Sequence, residues 1–343
     1  MKLLYDLDIA KISKLVNGKN ILITGGTGSF GNKLTDTLLT NFFPNKIIIL
    51  SRDEFKQYEM QKRFSPSKYP QMRYFIGDVR DLDRLRYAFK NIDIIFHAAA
   101  LKQVPAIEYN PTEAIRTNIY GTENVIRAAI ENNVERVIGV STDKCVSPAN
   151  LYGATKLCLE KLIISGNFLS GKKTKFCVLR YGNVFGSRGS VVPLFLKQKN
   201  EGVLTVTDKD MTRFTLTLQE AINFVLMSAE AMVGGEIFIP KLPSYNIVQL
   251  AKVIAPDAEI KEIGIRPGEK MHEAMIGTYE SHLAIECEDK YVIQPLIPIY
   301  SDQPDIYIKL HGDKLCNANF EYSSGENYLI DDSRLKEMVE EYK

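Results

Sequence analysis

The sequence predicts an α/β fold: a doubly wound parallel sheet with helices on both faces and a smaller second domain interleaved into it. Three observations lead there. Short apolar runs alternate with helical-period segments through the first half of the chain, the pattern of strands buried on both faces. A glycine-rich turn at 25–31 joins the first apolar run to a helical segment. After residue 181 the alternation becomes irregular and Gly, Pro and Asp fill the loops.

In chain order, the first twenty residues read as a short helix leading into the first strand. They lack the apolar run and cleavage site of a secretory signal. Strands are expected at 20–24, 46–50, 73–76, 93–97, 136–141 and 175–181, with helices between them, notably from about 111 to 132 and from about 151 to 164. A helix around 218–232 and a strand at 236–239 return to the same layer. The larger domain is therefore expected to span 1–183 with 213–240, and the smaller one 184–212 with 241–343. The tail from 313 is polar and ends in a charged helical stretch.

Lys plus Arg number 43 against 42 for Asp plus Glu, so no overall basic field favours nucleic acid or an anionic membrane surface. Any anionic ligand must be met locally. No apolar run reaches the ~20 residues needed to cross a bilayer. The five cysteines, Cys145, Cys158, Cys177, Cys287 and Cys316, form no C-x-x-C pair, which fits a reduced, cytoplasmic compartment. The four histidines, His97, His272, His282 and His311, have no ligand spacing, and no metal is expected.

Gly25, Gly28 and Gly31 stand at a G-x-x-G-x-x-G spacing, with Thr27, Ser29 and Phe30 between them. Glycines here allow a tight turn, close approach of a pyrophosphate and close packing of helix on sheet. This is the signature of a Rossmann-type dinucleotide site when a strand precedes it and a helix follows. The second strand ends in Ile49 and Leu50 and is followed by Ser51, Arg52, Asp53 and Glu54, then Lys56 and Gln57. An Arg at that tip meets a 2′-phosphate, whereas a carboxylate meets a free ribose hydroxyl. Arg52 argues for NADP, while Asp53 leaves NAD open and a solvated helix start is the plain alternative. Asp78 and Val79 come just after the third strand, where they would hold the adenine, and Ala98 follows the fourth, where small residues leave room for the cofactor.

The stretch STDKCVSPANLYGATK carries the chemistry. Tyr152 and Lys156 lie four apart and share one helix face. A phenol near pKa ~10 is a poor base, but a neighbouring ammonium and an oxidised nicotinamide both favour phenolate. The pair would deprotonate a sugar hydroxyl as hydride leaves for the cofactor.

With TGGTGSFG, LSRDEFKQ, FIGDVRDLDRL, HAAALKQVPAIEYNP, STDK, YGATKL, RYGNVFGSRGSVVP, MTRF, GGEIF and GIRPGEKMHE, the chain resembles the extended short-chain dehydrogenase/reductases over nearly its whole length. Within them it is similar to the inverting UDP-N-acetylglucosamine 4,6-dehydratases, particularly those that begin pseudaminic acid synthesis. Asp143 and Lys144 discriminate, since retaining dehydratases carry an Asp-Glu pair there. The resemblance implies Lys144 as base at carbon 5, with a lowered pKa, and Asp143 as acid at the carbon 6 hydroxyl. It implies cofactor contacts by Lys102, Thr117, Asn118, Val184 and Arg188. Substrate contacts fall to Lys102, Asn183, Val191, Thr207, Arg213, Arg266 and Glu269. It also implies a tightly bound NADP regenerated in each cycle, UDP-N-acetylglucosamine as substrate, and a homo-oligomer, dimeric or hexameric. Two alternatives stay open: a UDP-sugar 4- or 5-epimerase of the same family, and a non-catalytic dinucleotide-sensing regulator on the same fold.

Overall fold

Six parallel strands form the centre of the sheet in this computed structural model, which describes residues 4–187, 190–300, 302–303, 305–312 and 314–342. They are β1 (Asn20–Thr24), β2 (Lys46–Ser51), β3 (Met72–Ile76), β4 (Ile94–His97), β5 (Arg136–Val140) and β6 (Lys175–Leu179), in the order 3-2-1-4-5-6. Each of the six expected strands forms, shifted by no more than two residues at either end. Their apolar runs are buried because helices cover both faces; Ile21, Leu22, Ile23, Ile47, Ile49 and Ile95 are all inaccessible to solvent. The strand order reverses between β1 and β4, and the crevice outside the carboxyl ends at such a point is where open α/β sheets bind ligands.

The expected helix at 111–132 is present in three pieces. Pro111–Ala114 and Gly121–Glu131 are α-helical, and Ile115–Tyr120 between them is a widened π turn. Such turns are rare and recur at functional sites. The helix Leu218–Ala231 opens with a capping box between Thr217 and Glu220, and the strand Ile237–Pro240 runs parallel to β6.

The stretch 241–343 divides between two layers. Lys290–Ile293, Ala284–Glu286 and Lys314–Leu315 extend the main sheet in antiparallel fashion beyond Ile237–Pro240, giving ten strands. Part of the remainder joins 183–216: Asn183–Val184, Thr212–Leu216 and Ser244–Asn246 form a three-stranded sheet, and Val203–Val206 pairs with Glu259–Glu262. A second core containing Phe195, Leu204, Tyr245 and Leu250 sits there. The charged tail helix, Asp332–Tyr342, enters that core through Leu335, Met338 and Val339. Among the described residues no helix is long and apolar enough to cross a membrane.

Candidate active site

The glycine-rich turn connects β1 to the helix Ser29–Asn41. Gly25 adopts φ +65°, and a Cβ there would lie 2.8 Å from the Ala99 Cα, so the backbones of the first and fourth strand ends touch. At Gly31 a side chain would run into the Gly26 carbonyl. Gly28 caps the helix without a side-chain hydrogen bond. The first helical N–H groups, from Ser29 and Phe30 onward, therefore keep their capacity for an anion. Thr27 Oγ1 lies 3.0 Å from Ser51 Oγ and ties the turn to the tip of β2.

Asp53 does not behave as a free strand-tip carboxylate. It caps the helix Glu54–Arg63, accepting from Lys56 N at 2.9 Å and pairing with Lys56 Nζ at 2.9 Å. Those bonds from Lys56 hold its carboxyl below the ordinary range. Arg52 beside it is half exposed and reaches Asp78 at 3.5 Å. Burial pushes Asp78 up, but hydrogen bonds from Arg80 and the charge of Arg52 outweigh it, and the net shift is downward. Val79 is buried against Gly121. Gln57 spends its amide on the Ser51 and Phe75 carbonyls, spanning β2 and β3, so it stabilises the strand tips rather than presenting a free donor.

Thr117 and Asn118 lie on the π turn. Thr117 has a buried hydroxyl with no hydrogen-bond partner among the described residues, an acceptor and donor suited to a ligand. Asn118 is committed to protein: it accepts from Leu101 N at 2.8 Å and donates to Leu101 O and to Thr155 Oγ1. It thereby fastens the loop after Ala98 to the next helix. His97, closing β4, is buried between the Thr24 and Thr122 hydroxyls. Burial first, then Lys156, pushes it down to about 3, so it stays neutral.

Tyr152 and Lys156 lie on the helix Leu151–Leu169, capped by Asn150, whose Oδ1 accepts from Gly153 N. Gly153 is obligatory, since a Cβ would strike the Lys144 carbonyl; the helix can thus abut the short turn Asp143–Cys145. Lys156 is buried, donates to the Val140 carbonyl, and is pushed down to about 8 by that burial. The expected lowering of Tyr152 is not found. Burial dominates and pushes the phenol up to about 12, with Lys144 opposing it.

Asp143 is fully buried and Lys144 Nζ lies 3.0 Å from its Oδ1. The ammonium also donates to Asn183 Oδ1 at 3.2 Å and pairs with Glu273 Oε1 at 3.1 Å. Burial alone would lower Lys144, but Asp143 and Glu273 outweigh it and the net shift is upward. This corrects the expectation of a lowered Lys144. The cause is Asp143 first, joined by Glu273, a carboxylate contributed from far along the chain. Lys102, like Lys156, is pushed down, by partial burial first and then by the charge of Lys144.

On the other wall, Asn183 and Val184 form one strand of the three-stranded sheet, and Val191 begins the helix Val191–Gln198. Arg213 donates to the Thr212 and Met271 carbonyls, and Thr207 Oγ1 reaches Met211 Sδ. Arg266, Pro267 and Gly268 make a turn closed by Glu269 N to Arg266 O, with Gly268 at φ +80°, the geometry of a type II turn. Asn150 Nδ2 donates to Gly268 O at 2.8 Å, so the turn is fastened to the cap of the Tyr152 helix. Arg266 is exposed, and Glu269 Oε2 is buried without a hydrogen-bond partner among the described residues. Arg188 lies outside the described residues.

Sequence reasoning missed Glu273 and a buried cluster behind the site. Arg180 pairs with Glu160 and Glu280, each at 2.6 Å, and Cys145 Sγ reaches Glu160 at 3.0 Å. Among the described residues no group of three or more His, Cys, Asp or Glu could hold a metal ion.

Comparison with known proteins identifies the family and the fold. The family described as polysaccharide biosynthesis protein matches residues 21–295. A Campylobacter jejuni protein named UDP-N-acetylglucosamine 4,6-dehydratase (inverting) is 53% identical over 91% of this chain and 94% of its own. A Rickettsia conorii protein named UDP-glucose 4-epimerase is 44% identical over 80% of this chain and 82% of its own. The crystal structure of Pen from Bacillus thuringiensis superposes with a TM-score of 0.84 at 38% identity, covering 95% of this chain and 99% of that one. The chain therefore belongs to the polysaccharide biosynthesis protein family, on the extended short-chain dehydrogenase/reductase fold and among the relatives of the inverting UDP-N-acetylglucosamine 4,6-dehydratases.

Proposed function

We propose that this protein is a UDP-N-acetylglucosamine 4,6-dehydratase that inverts carbon 5, using a tightly held NADP, at the entry to a pseudaminic acid type of glycan pathway. The observation that carries the reading is Lys144 on Asp143 at the end of β5, in the same charged cluster as Tyr152. An epimerase does not need an acid and a base there to expel water. The name of the 53% identical Campylobacter relative supports the reading.

The cofactor residues fit a nicotinamide dinucleotide: Gly25 permits close approach, Gly28 leaves helix N–H groups open, and the Thr117 hydroxyl is unspent. Such a cofactor supplies the hydride acceptor and returns the hydride, and its oxidised ring favours the Tyr152 phenolate. Tyr152 takes the proton of the carbon 4 hydroxyl, with Lys156 supporting the phenolate. The carbon 4 ketone acidifies the hydrogen on carbon 5. Lys144 passes one proton to Asp143 and, now neutral, takes the carbon 5 proton. Asp143 gives its proton to the carbon 6 hydroxyl, which departs as water. The pair ends as it began, one ammonium and one carboxylate; a proton from solvent enters carbon 5 on the opposite face and inverts it, and Tyr152 returns the carbon 4 hydroxyl proton to solvent, which closes the balance.

Incubation with UDP-N-acetylglucosamine and no added cofactor tests this. A product lighter by one water, with inverted carbon 5 by NMR, is expected. The epimerase-named Rickettsia relatives favour a second reading, in which the substrate mass stays unchanged; that outcome would reject the dehydratase.

Arg52 supports NADP over NAD, because Asp53 is spent as a helix cap. Arg52→Ala is expected to weaken NADP binding by about 10- to 100-fold, the worth of one charge-assisted hydrogen bond, and to leave NAD binding unchanged. Titration of both cofactors by fluorescence checks it; equal losses would remove Arg52 from cofactor selection.

A further inference from the structure

Lys144 Nζ has three N–H groups, and the cluster presents three acceptors to it: Asp143 Oδ1, Asn183 Oδ1 and Glu273 Oε1, at 3.0, 3.2 and 3.1 Å. An amide oxygen does not take up a proton at neutral pH, so only the two carboxylates are acceptors for one that Lys144 releases. Both are buried, and each keeps one oxygen, Asp143 Oδ2 and Glu273 Oε2, without a partner among the described residues.

Glu273 is held rigidly. Its N–H donates to Ser324 Oγ at 2.9 Å, its carbonyl accepts from Ser324 N at 2.8 Å, and Ser324 Oγ is tied to Thr212 Oγ1 at 2.9 Å. A carboxylate fixed at both sides of its own backbone is placed against Lys144 by the second layer of the fold. It is not a mobile side chain that happened to find a cation.

We propose that Glu273 is a positioning residue for the elimination, a fixed counter-charge that holds the Lys144 amine on its target and makes it a stronger base toward carbon 5. The proposal rests on the dehydratase reading. Asp143 is consumed as acid in each cycle, so it cannot supply a constant negative charge to Lys144 at the moment of proton abstraction. Glu273 supplies that charge throughout. The cost is that the resting Lys144 is an ammonium that must first release a proton, and Asp143 is the group positioned to take it.

The charged and titratable groups facing Lys144 are Asp143 on its own turn, Glu273, Arg213 on the strand Thr212–Leu216, Lys102 from the loop after β4, Tyr152 on its helix and Tyr245 on the strand Ser244–Asn246. Arg213 and Lys102 oppose the ammonium. Removing Glu273 therefore leaves two cations against one carboxylate, and the Lys144 pKa must fall.

The test uses Glu273→Gln with two readouts. The first needs no substrate: acetylation of Lys144 by acetic anhydride across pH, quantified by mass spectrometry. A quarter of the Lys144 side chain is exposed, enough for the reagent to reach it. The Lys144 midpoint is expected to lie above the ordinary lysine range in the wild type and to drop by about one unit or more in E273Q, a roughly tenfold rise in labelling at a fixed pH on the ascending limb. Glu273→Asp, which keeps the charge on a shorter stem, recovers part of the shift. An unchanged midpoint in E273Q overturns the proposal. Should E273Q not fold, a wild-type midpoint at or below that of exposed lysines overturns it equally.

The second readout is the pH profile of water loss from UDP-N-acetylglucosamine. Its ascending limb is expected to move acidward by about one unit in E273Q, with a lower plateau because the base is weaker. A uniform fall at all pH, with no displacement of the limb, marks Glu273 as merely structural and overturns the proposal. If the wild type releases no water, the functional reading fails, while the labelling still decides what Glu273 does to Lys144.

Discussion

Replacing Lys144 by Ala is expected to slow water loss from UDP-N-acetylglucosamine by about a thousandfold or more, the upper part of the range for removing a general base. The exchange of acid and base roles leaves no substitute: Lys156 donates to the Val140 carbonyl and Lys102 makes no bond to Asp143. Oxidation at carbon 4 depends on Tyr152 and should survive, so reduced nicotinamide is expected to accumulate by absorbance while carbon 5 fails to exchange with deuterated water. Full turnover in this variant would remove Lys144 from the chemistry and leave the fold assignment standing. The same change strands the Asp143 and Glu273 carboxylates. We expect a stability loss of about 2 to 3 kcal/mol, below the ~3–5 kcal/mol of a fully buried pair because the Lys144 head is partly exposed. Urea unfolding separates this loss from the kinetic one, provided rates are compared where both proteins are folded.

What the sequence discloses is local. The strand, turn and helix around Gly25, Gly28 and Gly31 are contiguous, and both their conformation and their ligand follow from one short stretch. The same holds for Tyr152 and Lys156 on one helix face. Long-range charge was not legible. Lys144 reads as a base because the sequence shows only Asp143 beside it, whereas Glu273 reaches it from far along the chain and adds to Asp143 in turning its shift upward. Asp53 and Gln57 read as cofactor contacts but are spent on a helix cap and on two strand carbonyls. The strands Ala284–Glu286 and Lys290–Ile293 were missed because three or four residues are too few to show a period. The π turn at Ile115–Tyr120 carries no composition signal at all, as apolar and polar residues keep their helical spacing through it.

Arg180→Met is expected to destabilise the protein by about 3 to 5 kcal/mol at neutral pH, the largest stability effect foreseen for one side chain. Arg180 is 1% exposed and is the shared cation of two carboxylates. It donates through Nε and Nη2 to both oxygens of Glu160 at 3.0 and 2.6 Å, through Nη1 to Glu280 at 2.6 Å, and to the Met275 carbonyl at 2.7 Å. Burial pushes Glu160 up, but Arg180 outweighs it and the net shift is downward. A carboxylate whose folded pKa is depressed contributes stability above its unfolded value and loses it as pH falls through the folded one. The wild type therefore loses this contribution only below the ordinary Glu range near ~4.3. The variant lacks it at every pH, so the difference between the two should narrow on acidification. Arg180→Lys keeps one charge but cannot reach both carboxylates with a planar fork, and should fall between the wild type and the Met variant. Urea titrations at neutral and acid pH decide the matter; a neutral-pH difference under about 1 kcal/mol would place the cluster with ion pairs that break even against desolvation. Because Cys145 bonds to Glu160 and directly follows Lys144, loosening this cluster should also disturb the turn that carries Asp143 and Lys144. A loss of kcat in Arg180→Lys under conditions where it remains folded would show that the buried charges of this site act in series, the Arg180 cation setting the turn and the Glu273 carboxylate setting the amine.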